Sequence, residues 1–160
     1  MTTAIVPGTF DPITSGHLDI IQRATHLFDE VVVGVAASKQ KHGTGPLFSP
    51  RQRVELIQQA TAHLSHVRVV SFDILLIDFV KAQKGDVIVK GLRAMTDFEH
   101  EFQMAALNGR MNSDVETLFI MAAPEFMYLS SSAVKEIAVL GGPVTGLVPP
   151  CVEEALRNGF

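Results

Sequence analysis

The chain has no tryptophan, one tyrosine and one cysteine among 160 residues. Cys151 alone cannot make an intrachain disulfide, which points to a reducing compartment. The shortage of tyrosine and tryptophan leaves little from which to build the aromatic clamp of a flavodoxin-like flavin carrier. Long hydrophobic runs are missing too. The longest, Val31–Ala37 and Leu118–Ala123, fall far short of the roughly 20 apolar residues a membrane-spanning helix needs. No basic segment precedes the apolar start of the chain, so it does not read as a secretory signal. Cations are outnumbered, 13 Lys and Arg against 17 Asp and Glu, and the net charge of −4 argues against wrapping a nucleic-acid backbone while leaving room for a local basic pocket. The expectation is a cytoplasmic globular protein of one domain, residues 1–160, binding neither membrane nor nucleic acid.

What the chain does have is a regular alternation. Candidate strands are Ala4–Val6, Val31–Ala37, Val67–Phe72, Asp86–Val89 and Thr117–Ala122, and most are apolar on consecutive residues, as parallel strands covered on both faces are. Helical patterns fall between them. His17–Phe28 carries an apolar stripe; Ser49-Pro50-Arg51-Gln52 reads as a capping box opening a helix with Val54, Ile57 and Ala60 inward. Asp73 is expected to cap a short helix through Leu76, Phe79 and Val80. Thr96-Asp97-Phe98-Glu99 has the spacing of another box, on a helix running to about Arg110 that would bury Phe98, Phe102 and Ala105. Ser131 or a neighbour caps a helix stopped by Gly141-Gly142-Pro143, and the tail from Pro150 makes a last short helix. Repeated strand-then-helix units predict an α/β fold: a doubly wound, parallel, five-stranded, Rossmann-like sheet. Such sheets bind ligands beyond the carboxyl ends of their strands, so the residues that follow each strand carry the chemistry.

Three such segments stand out. Pro7-Gly8-Thr9-Phe10-Asp11-Pro12-Ile13-Thr14-Ser15-Gly16-His17 joins the first strand to the first helix; its glycines permit close backbone approach, the helix start offers N–H groups to a phosphate, and Thr9 and His17 add polar groups. No Gly-Lys-Ser/Thr follows, so it is not a Walker loop. Lys90-Gly91-Leu92-Arg93 sets two cations directly after the fourth strand. Phe126-Met127-Tyr128-Leu129-Ser130-Ser131-Ser132 brings three hydroxyls to a helix N-terminus, where a polyphosphate can be held. Each segment alone also fits an ordinary turn, a solvated loop or a serine cap; it is their joint placement that argues for a site.

Thr14-Ser15-Gly16-His17 matches the Thr/His-x-Gly-His signature of the nucleotidyltransferase superfamily, and the surrounding Pro-Gly-Thr-Phe-Asp-Pro-Ile-Thr, with Lys90–Arg93, Asp97-Phe98-Glu99 and Ser130–Glu136, resembles the phosphopantetheine adenylyltransferase family over essentially the whole chain. The resemblance implies transfer of the adenylyl group of ATP to 4′-phosphopantetheine, giving dephospho-coenzyme A and pyrophosphate, by a homohexamer. It implies a catalytic role for His17; contacts to ATP from Thr9, Phe10, His17, Gly91, Leu92, Arg93, Glu101 and the run Phe126, Met127, Tyr128, Leu129, Ser130, Ser131, Ser132; and contacts to the acceptor from Thr9, Lys41, Leu76 and Lys90. Lys39 competes with Lys41 for the acceptor phosphate, because Gly43-Thr44-Gly45 looks like an insertion relative to the family. Lys90 stands where arginine is common, and Phe126 where tryptophan is common.

The acceptor phosphate, with a second pKa of roughly 6, needs no general base at neutral pH. Positioning and charge stabilisation then carry the reaction, with His17 at the transition state and no covalent intermediate. Mg2+ is expected on the polyphosphate, held mainly by substrate oxygens and water, with no metal site in the protein. Two alternatives stay open beside the flavin carrier: an adenylyltransferase acting on nicotinamide or nicotinate mononucleotide, and a non-catalytic nucleotide-binding module. His63-x-x-His66 lacks a third nearby ligand for zinc, and the Met104–Met111 region reads as core or subunit contact.

Overall fold

The computed structural model describes residues 1–37, 46–94, 96 and 98–159. Five strands, β1 (Thr3–Gly8), β2 (Glu30–Ala36), β3 (Val67–Phe72), β4 (Val87–Leu92) and β5 (Glu116–Met121), form one parallel sheet in the order β3-β2-β1-β4-β5. The helices are α1 (Ser15–Leu27), α2 (Pro50–Ala60), α3 (Leu76–Ala82), α4 (Phe98–Met111), α5 (Ser131–Val139) and α6 (Pro150–Arg157). Alternate residues of each central strand feed two cores. Ala4, Val6, Val31, Val33, Val87 and Val89 pack with side chains of α1, α2, α5 and α6. Ile5, Val32 and Ile88 face the other way, onto Ile77, Phe79 and Val80 of α3. Burial on both faces is why these strands read as unbroken apolar runs.

Local chemistry sets the helix ends. Ser49 and Gln52 make the expected capping box, each side chain taking the other's backbone N–H. Ser130 caps α5. At its far end Gly141, at φ 75°, donates to the Ala138 carbonyl and Gly142 to that of Ile137, a Schellman stop that needs glycine's left-handed freedom.

Four expectations need correction. Leu75, not Asp73, stands at the cap of α3, with no side-chain bond there; the helix begins too late for Asp73 to reach its first turn. Thr96 lies two residues ahead of α4 and its hydroxyl accepts from the Arg93 N–H instead of making a box with Glu99; Asp97 lies outside the described residues. β4 runs through Leu92, because β5 pairs with Lys90, Gly91 and Leu92, so only Arg93 of that segment follows the strand. Finally, Phe98 and Phe102 are 51% and 63% exposed and Ala105 only half-buried, because α4 lies against the edge strand β5 and turns an apolar face outward.

Candidate functional site

The order of the strands reverses between β1 and β4, and the sheet opens there. β1 pairs with β2 at six positions but with β4 at only two, Ala4↔Val87 and Ile5↔Ile88. Beyond these the two strands part, and a cleft of about 430 Å³ occupies the gap at their carboxyl ends. Val6, Pro7, Gly8, Thr9 and Phe10 line one wall, and Val89, Lys90, Gly91, Leu92 and Arg93 the other. Thr14, Gly16, His17 and Ile20 of the first helix, with Thr96, Glu101, Ala122, Phe126 and Leu129, complete it. Gly91 has a steric reason: a Cβ there would sit 3.0 Å from Cγ1 of Ile20.

His17 is held by the start of its own helix. Its backbone N–H donates to Thr14 Oγ1 at 3.3 Å, and its Nδ1 accepts from the Thr14 N–H at 3.0 Å, so the imidazole takes the place that glutamate or glutamine usually fills in a capping box. An Nδ1 that accepts a backbone N–H carries no proton, which leaves Nε2–H as the donor of the neutral ring. Burial in the cleft, then the nearby Arg93 guanidinium, push the pKa of His17 down to about 4. At neutral pH the cleft therefore holds an uncharged imidazole that donates through Nε2.

The turn after β1 supports this ring. Phe10 is buried and lies at φ 52°, a left-handed conformation that costs a residue with a Cβ about 1–2 kcal/mol. Its ring meets that of His17 edge-on at 5.1 Å. Gly8 leaves room for it, since a Cβ there would fall 3.0 Å from Phe10 Cε2. Asp11, buried and followed by a cis bond to Pro12, accepts N–H groups of Leu47 and Phe48 at 2.7 and 2.9 Å and pairs with Lys135 of α5 at 3.3 Å. Arg53 of α2, 1% exposed, donates to the carbonyls of Thr9, Ala36 and Phe48. Sequence reasoning did not single out Asp11, Arg53 or Lys135. The available signal was a charged residue, Arg53, on the apolar stripe of an amphipathic helix.

On the opposite wall Lys90 Nζ pairs with Glu101 at 3.2 Å, both part-buried. Burial and this pair set Glu101 apart from an exposed helix acid. The two residues also border a second pocket of about 220 Å³, lined besides by Leu76, Ile88, His100, Met104, Ala105, Asn108 and Thr117. Lys90 and Glu101 thus line both the cleft and a side chamber of mixed polar and apolar lining, and Leu76 lies in the chamber rather than in the cleft.

Of the expected residues, the structure brings Thr9, Phe10, His17, Lys90, Gly91, Leu92, Arg93, Glu101, Phe126 and Leu129 to the one cleft. Met127, Tyr128, Ser130, Ser131 and Ser132 do not line it, and Tyr128 is 77% exposed. Two of the three serine hydroxyls are engaged: Ser130 accepts from the Ala133 N–H and Ser131 donates to the Pro12 carbonyl. What α5 offers an anion there is the N–H groups of Ser131 and Ser132, which have no acceptors within the helix. Lys41 and Lys39 lie outside the described residues.

Comparison with known proteins bears directly on this cleft. A family model described as cytidylyltransferase-like matches residues 5–137. Among curated proteins, the phosphopantetheine adenylyltransferase of Geobacter sulfurreducens is 53% identical over 157 residues, 98% of this chain and 94% of its own. That of Thermodesulfovibrio yellowstonii is 52% identical, covering 99% and 97%, and that of Moorella thermoacetica 52% identical, covering 100% and 99%. The chain belongs to the phosphopantetheine adenylyltransferase family. It is a nucleotidyltransferase. A solved structure from Vibrio parahaemolyticus, assigned as a nicotinate-nucleotide adenylyltransferase, shares the fold with a TM-score of 0.69 at 18% identity, over 99% of this chain and 100% of its own. No helix among the described residues is long and apolar enough to cross a membrane.

Proposed function

We propose that the protein transfers the adenylyl group of MgATP to 4′-phosphopantetheine, forming dephospho-coenzyme A and pyrophosphate, a step of coenzyme A biosynthesis. The observation that carries this reading is the junction at Lys90 and Glu101: a polar cleft with a neutral histidine opens beside a second pocket in which Leu76, Ile88, Met104 and Ala105 offer apolar surface to an uncharged acceptor arm. The likeness to phosphopantetheine adenylyltransferases, at 52–53% identity over nearly the whole chain, supports the same acceptor. A phosphate oxygen of the acceptor attacks the α-phosphorus of ATP; the new P–O bond forms as the bond to the β-phosphate bridging oxygen breaks, and pyrophosphate leaves with its electron pair. His17 Nε2–H donates to the α-phosphate as charge builds on it. Lys90 and Lys41, or Lys39 in its place, neutralise the acceptor phosphate; Arg93 and the first turn of α5 hold the leaving pyrophosphate. Glu101 is the one carboxylate lining the cleft among the described residues, and it is ion-paired. That suits magnesium that arrives on the nucleotide phosphates and keeps its waters.

Pyrophosphate release with MgATP tests the reading, run in parallel with 4′-phosphopantetheine and nicotinamide mononucleotide. Release with the first alone is expected. Release with the second alone would overturn the acceptor but keep the chemistry, and release with neither from folded, ATP-binding protein would favour a non-catalytic module. We further infer a cytoplasmic homohexamer, supported by the family and by the apolar face that Phe98, Phe102, Met111, Leu118 and Met121 present at the α4–β5 edge.

A further inference from the structure

Among the described residues, Arg53 is the largest of the fully buried side chains and the only charged one of that group. Burying a guanidinium is expensive, and a well-packed apolar residue of similar volume often stabilises a fold better. Its partners are not those of a structural ion pair. Nε donates to the Phe48 carbonyl at 3.1 Å, and one terminal nitrogen donates to the Thr9 carbonyl at 2.7 Å and the Ala36 carbonyl at 3.0 Å. The other terminal nitrogen is buried with no hydrogen-bond partner among the described residues. Asp11 acts on it electrostatically, while the ion pair of that carboxylate is with Lys135. The fork therefore clamps backbone from three places: the residue after β1, the end of β2 and the approach to α2.

One of these carbonyls leads to the chemistry. Thr9 immediately precedes Phe10, whose left-handed backbone would relax to an extended form if the peptide before it were free to turn. Phe10 is the residue whose ring bears on His17. We propose that Arg53 is a positioning residue for adenylyl transfer, holding the Thr9 carbonyl and, through it, the Phe10 ring against His17. The proposal rests on the adenylyl-transfer reading only for its kinetic consequence. The structural relay from Arg53 to His17 can be read without any substrate.

The test uses the full chain. Arg53→Lys keeps the charge but cannot clamp three carbonyls in one plane; Arg53→Gln keeps a donor and loses the charge. The expected order of kcat is wild type, then Lys, then Gln, with the Lys variant down between about tenfold and a hundredfold, the scale of a misplaced catalytic group. NMR titration of the His17 ring in substrate-free protein is the second arm. Besides His17 itself, the groups facing that cleft are Arg93, Lys90 and Glu101, unchanged in every variant. Loosening Phe10 admits water, so the His17 midpoint should climb from about 4 toward 6.5 in Arg53→Lys. Phe10→Leu, with Arg53 intact, should reproduce that climb, and it keeps the relay testable should the Arg53 variants not fold. A folded Arg53→Lys whose kcat and His17 midpoint match wild type would overturn the proposal. So would an activity loss that only follows the fraction of unfolded protein, or a folded Phe10→Leu with His17 unmoved.

Discussion

Replacing His17 by glutamine separates the two jobs this side chain holds. Glutamine at the third helical position can still accept the Thr14 N–H, so the start of α1 should keep its cap. What it removes is the imidazole and its titration. In the folded chain the ring has a pKa of about 4, against 6.5 for an unperturbed histidine. The folded state therefore binds its proton less readily than the unfolded state. The stability contribution is whole above pH 6.5 and is lost as pH falls from there toward 4. Carried to about pH 4.5, the linkage removes about 2.5 kcal/mol from the wild type and nothing from the variant. Urea denaturation at matched pH values between about 7.5 and 4.5 would show the two stability profiles converging, or crossing, as the solution is acidified. Profiles that stay parallel would refute the claim that the cleft holds a neutral, desolvated imidazole. At neutral pH the same variant should lose about 10²–10³ in the rate of pyrophosphate release, the usual effect of deleting one transition-state donor. A rate within about threefold of wild type, or roughly 0.7 kcal/mol, would take His17 out of the transfer step while leaving the stability argument standing.

Lys90→Met should raise KM for the acceptor by about tenfold to a hundredfold, the range of a lost charged hydrogen bond, and change KM for ATP far less; an equal rise in both, measured by initial rates, would contradict its assignment to the acceptor side. Ser49→Ala removes the cap of α2 and should cost about 0.5–2 kcal/mol in urea denaturation with kcat unchanged, since Ser49 does not line the cleft. Phe102→Asp places a charge on the exposed apolar face of α4 and should reduce the mass seen by analytical ultracentrifugation below that of wild type, for which the proposal predicts six chains; an unaltered mass would remove that face from the subunit contacts.

The fold was legible because its signals are local. Consecutive β-branched residues, the Ser49–Gln52 box and the Gly141-Gly142 stop act over a few residues, and all five strands were found with ends a few residues off at most. The ends drifted where pairing decided them, as at β4, which β5 extends through Leu92. The rough location of the site was legible for the same reason: in a parallel sheet it must follow the strands, and the segments after β1, at the end of β4 and after β5 are contiguous in the chain. Tertiary structure decided what those segments do. The cleft exists because β1 and β4 stop pairing after Ile5 and Ile88, which neither strand announces. The low proton affinity of His17 comes from burial and from Arg93, which arrives from another strand. Ser131 reaches a carbonyl 119 residues earlier in the chain, Lys135 a carboxylate 124 residues earlier, and Arg53 the Thr9 carbonyl 44 residues away. Phe98 and Phe102, inward by helical periodicity, face outward because α4 lies against the edge strand β5. Periodicity shows that a face is apolar; what lies against that face is decided only once the chain has closed on itself.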